Sequence, residues 1–241
     1  MDIAGVAAGT DLRGLRLVEC DLREARLVGC EVDDVRIDAF AGDLGSLVVE
    51  GVEVSGFVHA ELDRRFPERV AVREARTAAD LRAAWDVVDR LWRGTVAEVP
   101  VELVHRRVDD EWSVTETLRH LVFAADVWAG RVLGAGDGSF SPLGLPTGDT
   151  GPGTFAELGL DPAARPGWPE VVELFSASLD RVTAVFAAAR DDELDRPRVL
   201  VPYTERGELA TTVRRAYEVL LREHVDHRRY ALRDLAVPTG Q

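Results

Sequence analysis

Three side chains, His120, Glu223 and His227, are of types that ligate a divalent metal. Glu223 and His227 stand four apart in a stretch of helical periodicity, which puts both on one face about one turn apart, within reach of a single ion. His120 comes from an earlier predicted helix as the third ligand. Imidazole and carboxylate are ordinary zinc ligands, and three protein ligands with a fourth position open to water or substrate is the arrangement of catalytic rather than structural zinc. The same donors also suit nickel, iron and manganese. His224 is the alternative first ligand on the last helix, but one turn beyond it lies Arg228, which cannot ligate a metal. The bland competing readings are a hydrogen-bonded His120 at the border of its helix and a solvated polar face on the last one.

Around this set the same helix carries Glu116, Trp128 and Arg131. Glu116, one turn before His120, could accept a hydrogen bond from the imidazole and orient it, a common need of metal-bound histidine. Trp128 and Arg131, two and three turns after, are candidate substrate contacts, with Arg131 suited to a carboxylate. The alternatives are core packing for Trp128 and a solvated charge for Arg131.

Four helices must position these residues. Thr77 and Asp80 open the first as a capping-box-like start, followed by Leu81, Ala84, Trp85, Val88, Leu91 and Trp92 at helical spacing to residue 98. Ser113 with Glu116 opens the second, running to about Leu133. The third spans about Pro169 to Arg190, with proline in the first turn, and the fourth about Leu209 to Leu235. Long second and third connections fit an up-down four-helix bundle. The Gly- and Pro-rich stretch from Gly134 to Gly167 is either a lid, with Phe140, Leu143 and Leu145 over the bundle mouth, or a solvated linker. Its glycines follow a helix and lack the lysine of a phosphate loop.

The N-terminal part has another period. From residue 10 it divides into fives whose centres are Leu12, Leu17, Leu22, Leu27, Val32, Ile37, Leu47, Val52 and Phe57, broken at Gly42. Neither helix nor strand gives a period of five, and a fixed short period means a solenoid. Residues 1–60 are therefore expected as a repeat element, 61–76 as a linker containing Pro67, and 77–241 as the bundle. So short a stack buries too little to stand alone and should pack on the bundle or on another subunit.

A net charge of -14 argues against a nucleic-acid or anionic-membrane binder. No long apolar run and no secretory leader is present, so a cytoplasmic location is expected. Cys20 and Cys30, at equivalent repeat positions, are expected as packed thiols. All 29 basic residues are Arg, and Lys and Asn are absent, a bias of GC-rich coding that points to an actinobacterial source.

Two resemblances follow from these residues. The five-residue blocks resemble the pentapeptide-repeat family, which implies a right-handed quadrilateral β-helix with the central leucines inward. Longer members imitate DNA, an idea that the dispersed carboxylates of this short stretch support poorly. The strings DEWSVTETLRHL (110–121) and EHVDHRRYALRDL (223–235) resemble the two signature helices of the DinB-like superfamily, which includes the mycothiol-dependent maleylpyruvate isomerases. That resemblance implies a mainly α protein with a small β part and a divalent metal held by His120, Glu223 and His227. It further implies a small thiol such as mycothiol attacking a small electrophile as transferase or isomerase, and a homodimer. The rival reading is a metal-free interaction protein with a vestigial site.

Overall fold

The computed structural model describes residues 6, 9–18, 20–39, 44–146, 152–161, 163–200 and 208–237. The chain divides into two compact units, Met1–Gly45 and Ser46–Gln241.

In the first unit the five-residue period is present in the backbone. Positive φ recurs at Gly9, Gly14, Glu24, Gly29 and Asp34 (82, 75, 66, 67 and 60°), and turns close from Leu15 N–H to Leu12 O and from Ala25 N–H to Leu22 O, both 3.0 Å. The expected β-helix is nevertheless not seen. Among the described residues of this unit there is no strand, and the block centres are open to water, from 40% exposed at Leu12 to 71% at Leu27. About two coils leave each coil without neighbours on one side or both, so no ladder forms and the leucines are not enclosed. For the same reason Cys20 and Cys30 are exposed free thiols rather than packed ones.

The second unit begins with a small hairpin, β1 (Val48–Val49) against β2 (Val52–Glu53). The stretch read as a linker is helical, the end of α1 (Ser55–Arg65) and then α2 (Glu68–Glu74). Pro67 sits at the N-cap of α2, where its missing N–H breaks no helical bond.

Helix α3 (Ala78–Glu98) starts at the Thr77–Asp80 capping box and α4 (Val114–Ala125) at the Ser113–Glu116 one. Directly after α4 the winding widens into a π-helical segment, Asp126–Val132, then come α5 (Pro152–Glu157) and α6 (Trp168–Ala187). The last helix, α7 (Val213–Leu235), begins later than expected because Leu209–Thr212 forms strand β4, antiparallel to β3 (Pro197–Leu200). The Thr212 hydroxyl then accepts from the Arg215 N–H and caps α7.

Helix α3 packs on α6 and α7, and α4 packs on the same two. The bundle order is thus α3, α6, α4, α7, with α3 and α4 diagonal rather than side by side as a simple up-down connection would place them. Trp85, Trp92, Leu118, Leu121, Phe175, Phe186 and Leu220, each at most 1% exposed, fill the centre. Each contributes about 1.5–3 kcal/mol by leaving water. Helix α2 covers α3 and α7, tied by Glu68 to Arg228 at 3.0 Å and by Arg69 to Asp226 at 3.6 Å. No helix among the described residues is long and apolar enough to cross a membrane.

Candidate metal centre

The capping box fixes where α4 begins, and so which way His120 points. His120 is 4% exposed, and from α7, one turn apart, Glu223 and His227 reach the same place. One donor atom from each of the three lies within 4.8 Å of the others. His120 Nε2 is 3.3 Å from Glu223 Oε2, and His227 Nδ1 is 3.4 Å from the same oxygen. The two imidazoles lie beside each other, ring centroids 4.6 Å apart.

The hydrogen bonds decide the tautomers. His120 Nδ1 is 3.0 Å from the Leu145 carbonyl oxygen, and His227 Nδ1 is 2.9 Å from that of Glu223. A carbonyl only accepts, so each Nδ1 carries a proton, and Nε2 is the nitrogen each ring can offer to a metal. At His120 the Nε2 faces a carboxylate oxygen, so either a proton on Nε2 bonds the two or a cation bridges them. Ligands about 2.0–2.1 Å from a tetrahedral zinc lie roughly 3.3 Å apart, so the His120–Glu223 spacing fits a metal.

Charge states agree with that role. Burial alone would raise the Glu223 carboxyl, but the bond to His120 and the nearby His227 outweigh it and hold it at about 2. Burial, with repulsion from His120, pushes His227 down to about 4 against the pull of Glu223. At neutral pH Glu223 is ionised and His227 neutral, the forms that bind metal.

Trp112 lies against His120 at 4.7 Å and His227 at 6.2 Å between ring centroids, and Tyr230 meets His227 edge-on at 5.9 Å. These rings, and the Leu145 carbonyl, were not foreseen. Tyr230 was findable, three residues beyond His227 on the same helical face. A main-chain carbonyl delivered by a loop leaves no mark in residue types.

Several expectations are corrected. Glu116 does not orient His120. Its carboxylate is taken by the Ser113 N–H at 3.0 Å and by Arg107, so it serves the cap. Arg131 donates to Gly138 O at 2.9 Å and lies 4.2 Å over the Phe140 ring. Trp128 packs into the apolar core, the alternative given for it. Both were placed by α-helical spacing, which fails where the helix switches to wider pairing, as in Leu133 N–H to Trp128 O at 3.0 Å.

His224 lies outside the cluster. It is 1% exposed, edge-on to Trp85 at 4.9 Å, with Nδ1 2.7 Å from Leu220 O. Arg228 donates to Thr95 at 2.9 Å and pairs with Glu68.

No curated protein and no solved structure matches the chain. The family model for the DinB superfamily matches residues 80–231, more than half of it. That span takes in all three residues of the cluster, and the chain belongs to the DinB superfamily.

Proposed function

We propose that this protein is a divalent-metal-dependent enzyme that joins a low-molecular-weight thiol of the mycothiol kind to a small electrophile. The observation that carries the reading is the convergence of His120 Nε2, the Glu223 carboxylate and His227. Members of the superfamily often bind a divalent metal, and zinc is the ion these donors suit best, with nickel, iron and manganese also accommodated. A bound ion with an open position supplies charge that keeps a thiol ionised at neutral pH.

The chain's own residues do the rest. Glu223 and His227 are held in metal-binding protonation states, the Leu145 carbonyl keeps the His120 lone pair on Nε2, and Trp112 and Tyr230 wall the site. In the reaction the thiol gives its proton to solvent, and sulfur bonds to the electrophile's carbon as its leaving group departs or its double bond takes up a proton. The test is conjugation of mycothiol to 1-chloro-2,4-dinitrobenzene by zinc-loaded protein, with release of chloride. Turnover should fall to background in His227→Ala, and a rate that survives chelation would refute the reading.

A second reading has one observation in its favour. His120 Nε2 and Glu223 Oε2 also lie within hydrogen-bonding distance, as a protonated imidazole and a carboxylate would. A metal-free interaction protein would show no change in melting temperature with any of the four metals.

A further inference from the structure

Arg119, the residue beside His120, is 3% exposed, yet its guanidinium is directed to main-chain carbonyls. Nε donates to Leu143 O at 2.7 Å, Nη1 to Ala164 O at 3.1 Å and Nη2 to Asp161 O at 3.3 Å. Those acceptors flank Leu145 in sequence on both sides. Leu145 itself is bonded twice to the same turn of α4, its N–H to Arg119 O at 3.1 Å and its carbonyl to His120 Nδ1 at 3.0 Å. The loop is fitted closely: a Cβ at Gly144 would meet Ser141 O at 3.1 Å and Phe123 Cβ at 3.3 Å. Asp161 N–H closes it onto Pro142 O at 2.8 Å.

A buried guanidinium fork spent on three carbonyls is costly to keep. Here it pins a connection whose polar product at the cluster is one carbonyl, the one that sets the His120 tautomer. We infer that Arg119 is a positioning residue for the metal centre, acting through the segments around Leu143 and around Asp161 and Ala164 to hold the Leu145 carbonyl on His120 and so tune metal affinity. The inference rests on the metal reading above for its consequence, but its hydrogen bonds join only the chain's own residues. It gives the described residues on either side of Leu145 the role of a strut under a ligand.

The test has two readouts on Arg119→Gln, with folding checked by circular dichroism. In metal-free protein, imidazole nitrogen NMR should show His120 protonated at Nδ1 in the wild type and a mixture of tautomers in the variant. Zinc affinity, by chelator competition, should fall 10- to 100-fold, the usual cost of losing the outer partner of a ligating histidine. Arg119→Lys keeps the charge without the fork and should give a smaller loss. Should Arg119→Gln not fold, Gly144→Ala disturbs the same loop from the other side and should move both readouts the same way. An unchanged tautomer with zinc affinity within twofold, in a folded variant, overturns the inference. Wild type that binds no zinc, while the tautomer still responds to Arg119→Gln, would sink the metal reading and leave the positioning role standing.

Discussion

Helix α7 carries two histidines three residues apart that live in opposite surroundings. His227 faces α4, where His120, Glu223 and Trp112 gather around it. His224 faces the aromatic core, against Trp85 and Phe175, with the Trp92 indole N–H donating to its carbonyl at 2.9 Å. Both are driven to about 4 by burial, but only one shares its site with a carboxylate and a second imidazole. Residue type and a depressed pKa do not make a ligand, then; a second acceptor aimed at the same point does. Between the two faces, Asp226 and Arg228 tie α7 to α2.

The contrast is broken most readily by metal. At a thousandfold excess over its dissociation constant, zinc should stabilise the wild type by about 4 kcal/mol, roughly 8–16 °C in melting temperature for a unit of this size. His227→Ala should abolish that shift and His224→Phe should keep it. Equal losses would mean that the two faces are not distinct.

Acid is the next lever. An unfolded histidine titrates near 6.5 and folded His224 at about 4, so between these values the unfolded chain binds more protons and stability must fall as pH drops. The cost for His224 is about 3 kcal/mol across that window. Urea unfolding of the metal-free protein at pH 7, 5.5 and 4 should show the loss, and His224→Phe should flatten part of it. A flat wild-type profile would contradict a neutral buried His224.

On the α2 side, Arg228→Met together with Glu68→Met should alter stability by no more than about 1 kcal/mol, because burying a pair costs nearly what it returns. Zinc binding should not change, whereas a loss would make that pair part of the metal centre. The smallest effect belongs to the first unit: Leu27→Ser, at a position 71% exposed, should shift the melting free energy by less than about 0.5 kcal/mol. A larger destabilisation would mean that the leucine is covered in solution.

Much of this was legible beforehand. Thr77 with Asp80 and Ser113 with Glu116 marked two helix starts because a capping box is local chemistry. The four-residue step from Glu223 to His227 depends only on helix geometry. What was misread depends on tertiary context. Pro67 lies in a stretch read as a linker but heads α2, Leu209–Thr212 was read as the start of the last helix but pairs with β3, and the π-helical turn at Asp126 displaced Trp128 and Arg131. The five-residue period was real in the backbone, yet a period does not say whether enough coils exist to close a core.

The central claim is that His120, Glu223 and His227 hold one metal ion. Elemental analysis by mass spectrometry of untagged protein, wild type beside Glu223→Ala, tests it directly. The account predicts about one divalent ion per wild-type chain and none in the variant. Wild type that stays metal-free after incubation with zinc, nickel, iron and manganese, or a variant that keeps its ion, would contradict it.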